Sequence, residues 1–202
     1  MVSATEGIGM AKCIVLASGS PRRRELLGKM GLSFRVAPAN IDESVRPNES
    51  PCELVRRLAV SKAVATGGHY SECLIIGSDT VVSYQGRIFG KPVSPDHARE
   101  MLSCLSGQRH QVFTAVALWD PGSGQGRVRV DCAEIEFVSF SKEEVEEYLC
   151  TDEPWDKAGA YAIQGYARRW AKHINGDVET IIGLPTRLVA LLLSHWDKER
   201  QR

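Results

Sequence analysis

The stretch ASGSPRRR, residues 17–24, sets two serines, a glycine and three arginines where a short apolar run turns into a helix. A helix N-terminus already carries roughly half a positive elementary charge, so cations are misplaced there unless an anion meets them. Free backbone N–H groups at such a turn suit a phosphate, as do the hydroxyls of Ser18 and Ser20 and the forked guanidinium groups of Arg22 and Arg23. A capped helix with solvated arginines accounts for the same residues without a ligand. This stretch alone leaves both readings open.

Further residues have the chemistry to join it. Asp79, in IIGSDTVV, is placed at the carboxyl end of a predicted strand, where open α/β sheets collect ligands. A carboxylate there holds a divalent cation, accepts a proton from water, or simply bonds its own turn. Lys62 falls three, four and seven residues after Ala59, Leu58 and Val55, on the apolar stripe of a predicted helix. It either snorkels outward or aims its ammonium at a ligand. Lys91, in FGKP, lies across a predicted hairpin from Asp79, and Glu43, in NIDES, is a loop carboxylate. In DKAGAYAIQG, residues 156–165, glycines and alanines permit close approach, and Gln164 offers an amide.

The elements that must position these groups alternate. A strand over 12–17 precedes a helix over 21–30, with Ser20 at the N-cap, Pro21 at the first position and Gly31 as the stop. A strand at 34–37 follows, then a helix from Pro51 closed by Gly67 and Gly68. Next come a strand through Asp79, a turn at Gln85 and Gly86, a short return strand and a helix over 94–105. Residues 112–119 are apolar on both faces, as a central strand requires, and DPGSGQG joins them to a long partner. Ser141 and Glu144 form a capping box for another helix, and GLPTRLVALLLSHW is the last. The pattern predicts a mixed α/β sheet.

Composition narrows the class. The 202 residues suit one domain, read as a loose tail over 1–10 and a single domain over 11–202. Lysines and arginines total 25 and so do the acidic residues, which argues against binding a nucleic acid polymer. The longest apolar run, 188–193, is too short for a membrane span, and the N-terminal residues lack the pattern of a signal peptide, so the chain reads as cytoplasmic. Six cysteines without CxxC spacing or accompanying histidines read as buried, reduced thiols, and none of the five histidines is assigned a catalytic role.

ASGSPRRRELL, IGSDTVV, FGKP, DKAGAYAIQG and IIGLP, in this order and spacing, resemble the Maf family of nucleotide pyrophosphatases over about residues 12–193. The resemblance implies a Maf/ITPase-like mixed α/β fold: a central sheet flanked by helices, two lobes with a cleft between them, and a homodimer. It also implies hydrolysis of nucleoside triphosphates to monophosphate and pyrophosphate with Mg²⁺ or Mn²⁺. Asp79 matches the family's proton acceptor, and the other site positions match Ser18, Arg23, Glu43, Lys62 and Lys91. Asp79 and Glu43 are the metal-ligand candidates. The branch acting on dTTP and UTP carries Arg, Thr and Gln at three positions, here Arg22, Thr80 and Gln164. Uracil and thymine present acceptor, donor and acceptor along one edge, and a Gln amide can both accept and donate.

Two departures are visible: NGDVETIIGLP places Asp177 and Val178 where the family often has Ser-Tyr, and the segment YARRWAKHI is more basic than in many relatives. Either departure bears on the cleft rim or a dimer contact. The family resemblance leaves two further readings: clean-up of modified pyrimidine nucleotides at the same site, and inhibition of septum formation through protein binding.

Overall fold

The computed structural model describes residues 12–200, so the tail over 1–10 lies outside the described residues. The elements run β1 (Ile14–Leu16), α1 (Pro21–Lys29), β2 (Phe34–Val36), α2 (Pro51–Gly67), β3 (Leu74–Tyr84), β4 (Arg87–Phe89) and α3 (Pro95–Leu105). They continue with β5 (Arg109–Asp120), β6 (Gln125–Phe137), α4 (Lys142–Leu149), β7 (Ala171–Asn175), α5 (Val178–Ile182) and α6 (Thr186–Arg200). Short 3₁₀ turns occupy Pro154–Asp156, Ala158–Ala160 and Tyr166–Trp170.

One mixed sheet has the order β2-β1-β3-β5-β6-β7, with β4 paired to β3. Its first three strands are parallel and the rest antiparallel. β3 is the hinge of this arrangement. Its first residues, Leu74 to Ile76, pair with β1 on one edge, and from Ile75 to Ser83 the other edge pairs with β5. Asp79 therefore sits inside a long strand, three residues past the parallel part, rather than at a strand end as predicted. The ligand-collecting edge is the end of the parallel half.

Sequence pattern explains most of the helices. α2 opens with a Ser50–Glu53 capping box and α4 with the predicted Ser141–Glu144 box. α2 buries Leu54, Val55, Leu58, Ala59 and Ala63 against β3 and β5, and Lys62 is buried with them. α1 and α6 cover the other face through Leu26, Leu27, Leu188, Val189 and Leu192. A separate cluster joins α3, α4 and the 3₁₀ turns to the antiparallel half, around Met101, Phe137, Tyr148 and Trp170. The expected cleft lies between these halves, since its lining comes from both.

The reading of the cysteines as buried thiols needs correction. Cys13 and Cys73 form a disulfide. Ile14 and Leu74 are partners in the parallel ladder, so the residues just before them are brought side by side. A separation of 60 residues hides that neighbourhood from the sequence. Of the other four, Cys132 and Cys150 are exposed, and Cys52 and Cys104 are half-buried.

His110 on β5 is buried, with Nε2 2.9 Å from the Tyr161 hydroxyl and its ring edge-on to Phe137. Burial disfavours the cation and pushes its pKa from 6.5 down to about 4. The unfolded chain then binds a proton that the folded chain refuses. The stabilisation is complete above pH 6.5 and is lost as pH falls toward 4. The difference is worth about 3 kcal/mol. Urea unfolding between pH 7.5 and 5 should show about 2 kcal/mol of this fall in wild type, and His110→Gln should flatten it. An unchanged slope in the variant would assign the acid sensitivity to other groups.

Candidate active site

The cavity between the halves has a volume of about 700 Å³. Ser18, Arg22, Arg23, Glu43, Lys62, Asp79, Thr80, Lys91 and Gln164 all line it, so every sequence-predicted site residue arrives in one place. Lys157 and Asp156 join them. The wall then carries five cationic side chains and three carboxylates, an excess of two positive charges in a chain of zero net charge. Such a concave, locally positive site favours a polyanion.

Lys62 is the centre of the acidic side. Its stripe position on α2 points the ammonium at β3, where Nζ lies 2.6 Å from Asp79 Oδ1 and 2.8 Å from Glu43 Oε1. Two carboxylates from different elements thus converge on one ammonium. Burial pushes the Asp79 carboxyl up, against the opposing pull of Lys62 and Arg23, and the net displacement is upward. Glu43 is more exposed. Burial works to raise it too, but the Lys62 hydrogen bond and the charges of Lys62, Lys91 and Arg23 prevail and hold it below the usual range.

Gly77 permits this approach of α2 to β3. A Cβ there would lie 2.1 Å from the Ala59 carbonyl oxygen and 3.0 Å from Ala63. The neighbouring helix backbone occupies the space a side chain would need.

The three arginines of the opening turn divide. Arg24 is exposed, as the solvated reading has it. Arg22 is half-buried on the cavity wall, with Nη1 4.0 Å from Asp156 Oδ1. Arg23 is wired into the fold: Nε donates to the Gly183 carbonyl at 2.8 Å, Nη1 to Ser18 Oγ at 3.2 Å and Nη2 to Thr80 Oγ1 at 3.0 Å. Its charge remains in the site while neutral acceptors fix its fork. Burial lowers its pKa, with Asp79 opposing. Ser20 caps nothing with its side chain; its N–H donates to Ser18 Oγ instead.

Sequence reasoning missed the groups behind Arg23. Thr114 donates to the Thr180 carbonyl at 2.6 Å, and its oxygen is 2.9 Å from that of Thr80. A hydroxyl has one proton. Thr114 spends its own on Thr180, so Thr80 donates to Thr114 and accepts from Arg23. A threonine inside the apolar run of β5 was the available signal. Gly183 supplies the other acceptor, taking Arg23 Nε and, at 2.9 Å, Ser78 Oγ. It ends α5 with φ 119°, and a Cβ there would meet Thr80 Oγ1 at 3.1 Å.

The Asp177 departure keeps a capping role. Its carboxylate accepts the Glu179 N–H at 2.9 Å at the start of α5, the helix that presents Gly183, and it pairs with Arg187. Val178 is exposed.

The family described as Maf-like protein matches residues 13–196. A dTTP/UTP pyrophosphatase of Chromobacterium violaceum is 44% identical over 191 residues, covering 92% of this chain and 96% of that protein. The dTTP/UTP pyrophosphatase of Halalkalibacterium halodurans is 44% identical over 185 residues, covering 91% and 96%. That of Bacillus cereus is 40% identical over 185 residues, covering 91% and 90%.

Proposed function

The chain belongs to the Maf family, and from that premise we propose that it hydrolyses the α–β phosphoanhydride of dTTP and UTP to nucleoside monophosphate and pyrophosphate. The observation that carries the chemistry is the buried Asp79–Lys62 pair, joined by the more exposed Glu43, opening onto a positively lined cavity. Relatives named dTTP/UTP pyrophosphatase, and Arg22, Thr80 and Gln164 in that cavity, support the choice of substrate.

In this reading Asp79 accepts a proton from the water that attacks the α-phosphorus, and pyrophosphate leaves. Lys62 holds Asp79 and Glu43 in register, Arg22 and Lys91 neutralise phosphate oxygens with Ser18 and the turn after it, and Arg23 adds its fixed charge. Gln164 addresses the base edge.

A divalent cation fits these residues. Among the described residues no group of three or more His, Cys, Asp or Glu side chains could hold a metal ion alone. Two converging carboxylates, Asp79 and Glu43, would hold Mg²⁺ or Mn²⁺, hard cations that take oxygen ligands. When bound, the ion neutralises charge on the phosphoryl oxygens. We extend the proposal to a homodimer acting in the cytoplasm, on the family resemblance, with sedimentation equilibrium and cell fractionation as the checks. Among the described residues no helix is long and apolar enough to cross a membrane.

Pyrophosphate release with Mg²⁺ or Mn²⁺ across dTTP, UTP, CTP, ATP, GTP and 7-methyl-GTP tests the reaction. Preference for dTTP and UTP, abolished by EDTA, is the expected result. Preference for 7-methyl-GTP would retain the chemistry and overturn the base assignment. No turnover on any of them would favour modified pyrimidine nucleotides or the septum-inhibitor role.

A further inference from the structure

Gln164 is held by a clamp whose jaws lie outside the cavity. The Gly165 N–H donates to the Ala162 carbonyl at 3.1 Å, closing a turn with Gln164 at its third position. On the entry side, the Ala162 N–H donates to the Tyr148 hydroxyl at 3.1 Å. On the exit side, the Tyr166 N–H donates to both Glu153 carboxylate oxygens, at 3.1 and 3.0 Å. Gly165 lies against that carboxylate: a Cβ there would be 2.2 Å from Glu153 Oε1. Neither Tyr148 nor Glu153 lines the cavity.

Tyr148 is fully buried on α4, its ring packed edge-on to Trp170, so its hydroxyl is fixed in space. Burial also pushes its pKa up, which keeps the hydroxyl neutral. Glu153 follows α4 in the chain. Both jaws therefore come from α4 and the short segment that follows it, and the turn between them presents an exposed glutamine to the cavity. Among the described residues no partner takes the Gln164 amide, so the backbone turn decides where its Cα–Cβ stem stands and which stretch of the cavity the amide can reach.

We propose that Tyr148 and Glu153 are positioning residues for base selectivity, acting through the 162–166 turn on Gln164. This rests on the reading of Gln164 as the group that meets the uracil or thymine edge. A base is told from its neighbour by donor and acceptor placement. Uracil offers an acceptor where cytosine offers a donor, so a small swing of the amide erases the difference. Phosphate neutralisation and attack by water lie elsewhere in the cavity and depend less on the clamp.

The experiment measures kcat and KM for UTP and CTP in wild type, Glu153→Ala, Glu153→Gln, Tyr148→Phe, Gly165→Ala and the Glu153→Ala/Gly165→Ala double variant. Loss of one charge-assisted or buried hydrogen bond should lower the UTP:CTP ratio of kcat/KM roughly tenfold in Glu153→Ala and Tyr148→Phe. KM for UTP should rise more than kcat falls. Glu153→Gln keeps an acceptor oxygen and should stay within about twofold of wild type. Gly165→Ala, which displaces the carboxylate, should match Glu153→Ala, and the double variant should be no worse than either. Tyr148→Phe retains the packed ring, so it remains informative if Glu153→Ala folds poorly. Wild-type ratios in both Tyr148→Phe and Glu153→Ala overturn the clamp. Failure of wild type itself to turn over UTP overturns the reaction assignment, and the clamp with it.

Discussion

Replacing Asp79 with asparagine is expected to reduce pyrophosphate release by roughly a thousandfold or more, the scale for losing a positioned general base, while the protein stays folded. Asparagine has nearly the same shape and keeps an oxygen near Lys62 Nζ, which retains Glu43 at 2.8 Å. The change removes basicity and one negative charge and little packing. Urea unfolding and a pyrophosphate assay read the two effects separately. Near-normal turnover in a folded Asp79→Asn protein would remove Asp79 from the mechanism. Protonating wild-type Asp79 should imitate the substitution. Its pKa is raised by burial, so the active carboxylate is lost as pH falls through a value above the ordinary aspartate. The acid limb of kcat/KM should accordingly lie above the ordinary aspartate range, and it should be absent from any residual activity of Asp79→Asn.

Gly77→Ala should cost about 3 kcal/mol or more, at or beyond the upper end for overpacking. The added methyl would sit 2.1 Å from the Ala59 carbonyl oxygen, a backbone atom inside a helix that cannot swing aside as a side chain does. α2 must move away from β3, carrying Lys62 from Asp79, so turnover should fall with stability. Gly28→Ala is the matched control. A Cβ at Gly28 meets nothing within 4 Å, and alanine in a helix is favoured by about 0.5–1 kcal/mol. A Gly77→Ala protein as stable as wild type would show that the helix–strand contact has slack.

The two cases rest on different kinds of information. Asp79 was readable because it follows a run of apolar and small residues, at what the sequence marks as the ligand-collecting end of a strand. Lys62 was readable because a charge on a helical stripe of otherwise apolar residues contradicts its surroundings. Gly77 gave no such sign. Its importance comes from a helix packed across it, and a glycine in a strand is equally consistent with a bulge or with nothing at all.

Arg23 shows the boundary most clearly. The sequence placed it at a helix N-terminus and, through the family motif, in the site. Its hydrogen-bond partners, Ser18, Thr80 and Gly183, span 165 positions of the chain. The disulfide between Cys13 and Cys73 was hidden in the same way, by a parallel pairing that joins strands distant in sequence. β7 and α5 escaped the pattern reading because each is five residues long, too short for a period to repeat convincingly.

What the sequence determined by itself was local: the strand-to-helix turn, both predicted helix starts at Ser20 and Ser141, the buried lysine stripe, the long β5–β6 hairpin, and the motif order that marks the family. These follow from residue spacing over a few turns or one strand, where backbone geometry ties side-chain direction to sequence position. The tertiary structure alone decided which carboxylates meet Lys62, which carbonyl receives Arg23, and which jaws hold Gln164. Those contacts depend on strand order and helix docking, which join residues far apart in the chain.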